Sequence, residues 1–215
     1  MKMTKELKRT WILTTIVCLI PIIVGILLYD KLPDQVVTHW DSAGNPNGWS
    51  SKLFGAIVLP GILLIINILF PFLLKIDPKY KNLSEKVKCL LHWIIPVAEL
   101  FACTVTLAAA LGVDLKVQIY APMFCGVLFI IVGNYLPKVS QSYTVGIKLP
   151  WTLDDEENWN KTHRFAGFLW VICGILMIIR AFLQIRMIST LVFLAVMVLA
   201  PTAYSFILYV KKQKN

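Results

Sequence analysis

The chain has 215 residues, of which 58% are hydrophobic and 15% charged, and its formal net charge is +9. A soluble globular domain is about 45–50% apolar and about 25% charged, so that class is excluded; disorder needs low hydrophobicity and is excluded too. The basic balance does not make a nucleic-acid surface either, because the apolar residues run in blocks of about 20, long enough to cross a bilayer.

Six such blocks follow one another: 10–29, 53–74, 89–113, 117–136, 165–185 and 187–210. They predict an all-α membrane protein, a single six-helix domain over 1–215. The first block follows a basic leader (Lys2, Lys5, Lys8, Arg9), exceeds a signal core and has no small-x-small cleavage site before Tyr29-Asp30. It reads as a retained span. The fifth has the shortest charge-free stretch, Phe165–Ile179, so it is expected to borrow the turn before it or to let Arg180 snorkel outward.

Of the 21 basic residues, sixteen lie in the N-terminal tail, the 75–88 loop, the 137–164 loop and the C-terminal tail. Lys31, Lys52, Lys116, Arg180 and Arg186 fall on the other side. By the positive-inside rule both termini are expected in the cytoplasm and the 30–52 loop outside. Cys18, Cys103, Cys125 and Cys173 lie within spans and Cys89 at a span end, which suits packing and not a disulfide framework.

The 30–52 loop has strand-like residues over Val36–Trp40, and its dense turn formers include the tight-turn pair Asn47-Gly48. A short hairpin-like excursion at the membrane surface is expected, with Trp40 and Trp49 at the interface. His39 beside Asp34 or Asp41 has two readings: a metal or catalytic group, or a histidine that hydrogen-bonds loop backbone. One histidine with scattered carboxylates does not define a coordination set, and no metal is expected.

The 137–164 loop ends in a predicted helix start, with Thr152 as cap and Asp155 returning the bond. Asp154–Glu157 would sit at the positive end of that helix, Glu157 would pair with Lys161, and Trp159 and His163 would share a face. Before it, Tyr143–Leu149 reads as extended, ended by Pro150. Trp151, Trp159 and His163 amid charges make either a cytoplasmic binding surface or an interfacial anchor.

Within the spans, Glu99 lies near mid-membrane with His92 on the same helix face, Pro96 between them, and Asn67 and Asn134 on other helices. Either His92 and Glu99 form a proton relay, or a protonated Glu99 hydrogen-bonds Asn67 as interhelical glue. No H-E-x-x-H, G-x-S-x-G or P-loop occurs, so neither an enzyme nor a cofactor is expected.

Two segments carry a family resemblance. Leu32-Pro33, His39-Trp40, Gly44, Asn47-Gly48 and Ser51-Lys52 resemble the extracytoplasmic motif of small bacterial membrane proteins of the SdpI type. Gly133–Lys138, Gly146–Leu153, Trp159, Thr162-His163-Arg164 and Gly167 resemble the same family's C-terminal signature. The resemblance implies a plasma-membrane immunity protein that protects a bacterium from a secreted, membrane-active peptide toxin and captures a cytoplasmic autorepressor to induce its own operon. It has no direct nucleic-acid partner. On this basis His39, Trp40, Asp41, Asn47, Trp49 and Lys52 are toxin-facing candidates, and Lys148, Trp151, Trp159, His163 and Arg164 are repressor-facing candidates. The alternative is a proton-coupled exporter that uses Glu99.

Overall fold

A computed structural model of the chain describes residues 3–185 and 188–214. Lys2, counted in the basic leader, Arg186, counted on the outer side, and Met187, the expected start of the sixth span, lie outside the described residues. Among the described residues six helices are long and apolar enough to cross a membrane, as expected. The protein itself buries only 17–39% of their apolar windows, which leaves the rest for lipid.

The helices fall into two compact units, residues 1–75 with 88–117, and residues 76–87 with 118–215. In the first, α1 (Lys5–Leu28) is capped by the Thr4 side chain, which accepts from the Leu7 amide. An antiparallel hairpin follows, β1 (Gln35–Trp40) with β2 (Pro46–Ser51). A π-helical opening, Phe54–Val58, leads into α2 (Leu59–Ile76), and α3 (Glu85–Ala110) completes the bundle. Leu32, Ala56 and Leu107 bury one another at the hairpin end of this unit.

The second unit holds α4 (Val117–Tyr135), the short α5 (Pro150–Asp154), α6 (Glu156–Phe182) and α7 (Ile188–Gln213). The fifth span is therefore not short: α6 begins nine residues before Phe165 and runs for 27 residues. Its charged first turns continue the helix beyond the apolar stretch. Arg180 does not snorkel. It is buried, and its Nε donates to the Ile185 carbonyl just past the helix end.

Small residues set the packing of α4 on α6. A Cβ on Gly126 would stand 2.7 Å from the Gly174 carbonyl oxygen, and one on Gly167 would stand 2.6 Å from that of Gly133. The two glycine pairs recur seven residues apart on each helix, so the backbones touch along one stripe, as helices packed in lipid commonly do. The Trp170 indole then bridges from α6 to α7 by donating to the Met197 carbonyl.

Candidate functional sites

The hairpin forms where the strand-like residues predict it, but the turn lies elsewhere. Asp41 closes it: its Oδ1 accepts from the Ala43 and Asn45 amides, and its backbone amide donates to the Asn45 carbonyl. These bonds, the Asn45 amide foremost, hold the Asp41 carboxyl below the usual carboxylate range. An aspartate that bonds its own backbone two residues on is a strong turn former, and here it outcompetes Asn47-Gly48. Those two residues sit instead in β2, with Gly48 opposite His39 at an irregular register.

His39 binds a side chain and not loop backbone: its Nδ1 lies 2.5 Å from Asn47 Oδ1. Among the described residues no group of His, Cys, Asp and Glu is arranged to hold a metal. His39, Asn47 and Trp49 are exposed, and Trp40, Asp41 and Lys52 are half-buried. Lys52 is fixed by Asp34 at 3.1 Å and by the Tyr29 ring. Buried Val36 anchors the hairpin: a Cβ on Gly55 would fall 2.4 Å from its methyl, so the two fit only because Gly55 has no side chain.

In the second unit, residues 139–149 are irregular, not extended, and a knot of buried polar groups orders them. Trp159 and His163 share a face of α6, as their spacing predicts, and their rings stack with centroids 4.0 Å apart. Both are buried, so neither presents a surface to a partner. The Trp159 indole donates to the Val139 carbonyl at 2.7 Å. His163 Nδ1 lies 2.9 Å from the Trp159 carbonyl, and its Nε2 lies 3.0 Å from the Ile147 amide. A carbonyl accepts and an amide donates, so Nδ1 carries the proton and the ring is neutral. Gly146, at φ +112°, passes directly over this pair.

The predicted capping box is replaced by two separate devices. Thr152 is buried within the loop; its hydroxyl accepts from the Leu149 amide and can donate to the Ile147 carbonyl. Asp155 breaks the chain between α5 and α6 and caps α6 by accepting from the Glu157 and Asn158 amides. Lys212, 2.9 Å away, is the main cause that holds the Asp155 carboxyl below its usual range, with the capping amides adding to it. Glu157 pairs with Lys161 as expected. Trp151 is half-buried against α7: its indole donates to Ser205 and its ring stacks on Tyr209. Lys148 and Arg164 are exposed.

One group in this knot has no sequence signal. Asp77, in the loop after α2, is buried. Its Oδ2 accepts from the Ser142 and Thr144 hydroxyls and from the Tyr143 and Thr144 amides, while Oδ1 accepts from the Lys79 amide. Burial works to raise this carboxyl, but the hydrogen bonds, Ser142 first, outweigh it and hold the group below the usual range. Lys79 also reaches the Gln141 carbonyl, and Gln141 donates to the Thr152 and Leu153 carbonyls. The nearest sequence clue was the run of hydroxyls at Ser140, Ser142 and Thr144.

Of the intramembrane group, Glu99, His92 and Asn67 are fully buried in the first unit, and Asn134 is exposed on α4. The expected Glu99–Asn67 bond is not made. Asn67 Nδ2 donates to Thr15 Oγ1 at 3.3 Å, because Thr15 projects from α1 at that depth. His92 Nδ1 lies 2.7 Å from the Lys88 carbonyl, and its ring packs edge-on against Phe70.

Residues 138–205 match the SdpI/YfhL protein family, and residues 16–64 match a domain of unknown function, DUF1648. The first region contains the Trp159–His163 knot and the second contains the hairpin. The chain is also similar to the immunity protein SdpI of Bacillus subtilis (strain 168), with 28% identity over 209 residues that cover 93% of this chain and 96% of that protein. No solved structure matches the chain.

Proposed function

We propose that the chain is an SdpI-type multi-pass protein of the bacterial cell membrane and that it is an immunity protein. It protects its bearer against a secreted, membrane-active peptide toxin. The near full-length similarity to an immunity protein carries this reading. The protein acts by binding and not by catalysis.

The basic residues of the tails and of the 75–88 and 137–164 loops support a cytoplasmic position for those segments and an outer one for the hairpin. The exposed residues His39, Asn47 and Trp49 then meet the toxin, and Lys148 and Arg164, flanked by half-buried Trp151, meet a cytoplasmic repressor. The buried Trp159–His163 pair holds that second surface in shape. Coupling the two sites requires the toxin to bind one state of the membrane helices more tightly than another.

A second reading, proton-coupled export, is favoured by buried Glu99 alone. Deleting the gene in its native host separates protection from other roles. The immunity reading expects the deletion strain to be killed by culture medium of the parent and rescued by the gene supplied in trans. Equal survival of the two strains rejects it. Rescue by the intact chain but not by Glu99→Gln favours export.

A further inference from the structure

Four polar groups buried in the first unit lack a hydrogen-bond partner among the described residues: the Trp11 indole N–H, Asn67 Oδ1, His92 Nε2 and both oxygens of Glu99. Their neighbours fix what each atom is. The Thr15 hydroxyl donates to the Trp11 carbonyl at 2.8 Å, so its oxygen must accept from Asn67, which leaves the Asn67 carbonyl oxygen unpaired. His92 Nδ1 faces the Lys88 carbonyl and must carry the proton, so Nε2 is a bare lone pair. Asn67, His92 and the Glu99 carboxyl thus leave acceptors unpaired, and Trp11 leaves a donor; a buried polar group left without a partner is costly. A water molecule supplies two donors and is the usual remedy inside a protein.

The groups rise in steps of about one helical turn, about 5 Å each. Near the start of α1 and α3, Thr10 meets Cys89. His92 packs on Phe70 of α2, one turn from Asn67, and Asn67 bonds Thr15. One turn further along α1, Cys18 lies close enough to Glu99 to interact with it. Beyond Glu99, among the described residues, the next buried polar side chain of α3 is Thr106, two turns on at the hairpin end. A Cβ on Gly25 would fall 2.2 Å from the Ala56 carbonyl oxygen, and Leu32, Ala56 and Leu107 close the hairpin end.

We propose that a file of buried water molecules runs from the end where α1 and α3 begin, past His92 and Asn67, to Glu99, and that Glu99 exchanges its proton through that end only. The groups facing Glu99 are the Cys18 thiol from α1 and the Cys103 thiol from its own helix; α2 has no titratable residue before Lys75. Among the described residues no cation pairs with the carboxyl, and an unpaired charge is costly in the membrane interior. The proposal does not depend on the immunity reading.

Infrared difference spectra of the full chain against Glu99→Gln, in vesicles with one orientation of insertion, isolate the carbonyl band of protonated Glu99. Raising the pH on the side of the chain termini is expected to remove the band, and raising it on the hairpin side to leave it. The response should slow at least tenfold in Asn67→Leu. No band, a band deaf to both sides, one that follows the hairpin side, or an Asn67→Leu response at the unaltered rate each overturns the proposal. A band removed by sodium at constant pH also overturns it, because the acceptors then hold a cation.

Discussion

At the scale of single residues, the second site turns on Gly146, Trp159 and His163. A side chain at Gly146 would stand 2.4 Å from His163 Nε2 and 2.8 Å from the Trp159 ring, in a backbone conformation that L residues avoid. Gly146→Ala is therefore expected to destabilise the protein by about 1–3 kcal/mol or more. Thermal unfolding in detergent, together with faster hydrogen exchange at the Ile147 amide, measures the effect; unchanged exchange would show that the loop does not lean on His163. The sequence marked all three residues but misread two of them. Tryptophan and histidine amid charges look like a surface, and composition does not reveal that the Ile147 amide, sixteen residues before His163, occupies its ring nitrogen. Of the same pattern, Lys148 and Arg164 are exposed.

At the scale of elements, the loop after α2 and the loop after α4 are held together by one carboxylate. Asp77 accepts bonds from Lys79, Ser142, Tyr143 and Thr144, and its folded value is depressed. A depressed carboxyl contributes its full stability above the unfolded value of about 4 and loses it as pH falls through the lower folded value. The amide resonances of Tyr143 and Thr144 are expected to hold steady from neutral pH to about 4 and to move together only below it. In Asp77→Asn they should be displaced at every pH. Movement at or above the ordinary carboxylate range would mean that Asp77 is not the tie. Nothing in the sequence pointed to this contact, because its partners in the second loop lie more than sixty residues away and none is chemically unusual. The hairpin was legible because β-branched strand residues and turn formers act locally. Its turn was misplaced because Asp41 bonding its own backbone competes with Asn47-Gly48 on equal sequence evidence.

At the scale of the whole molecule, the spans were legible because a bilayer demands long apolar runs whatever the helices pack against. The start of the fifth span departs furthest, nine residues early against five for α1 and four for α3: α6 continues through charged turns capped by Asp155, and counting apolar residues does not see a helix that runs past its apolar stretch. The glycine stripe joining α4 to α6 gives Gly133 and Gly167, both quoted for the family resemblance, a packing role. The proposed function gives the protein two working surfaces, an exposed hairpin for protection and an exposed loop for induction. Survival in parental culture medium, read beside expression from the native promoter, tests it in a deletion strain carrying either Trp49→Ala or Lys148→Glu with Arg164→Glu. The hairpin variant is expected to lose protection, while the loop variant survives at least as well as the unaltered chain and fails to induce. If protection and induction are lost together in both variants, the division of labour is contradicted.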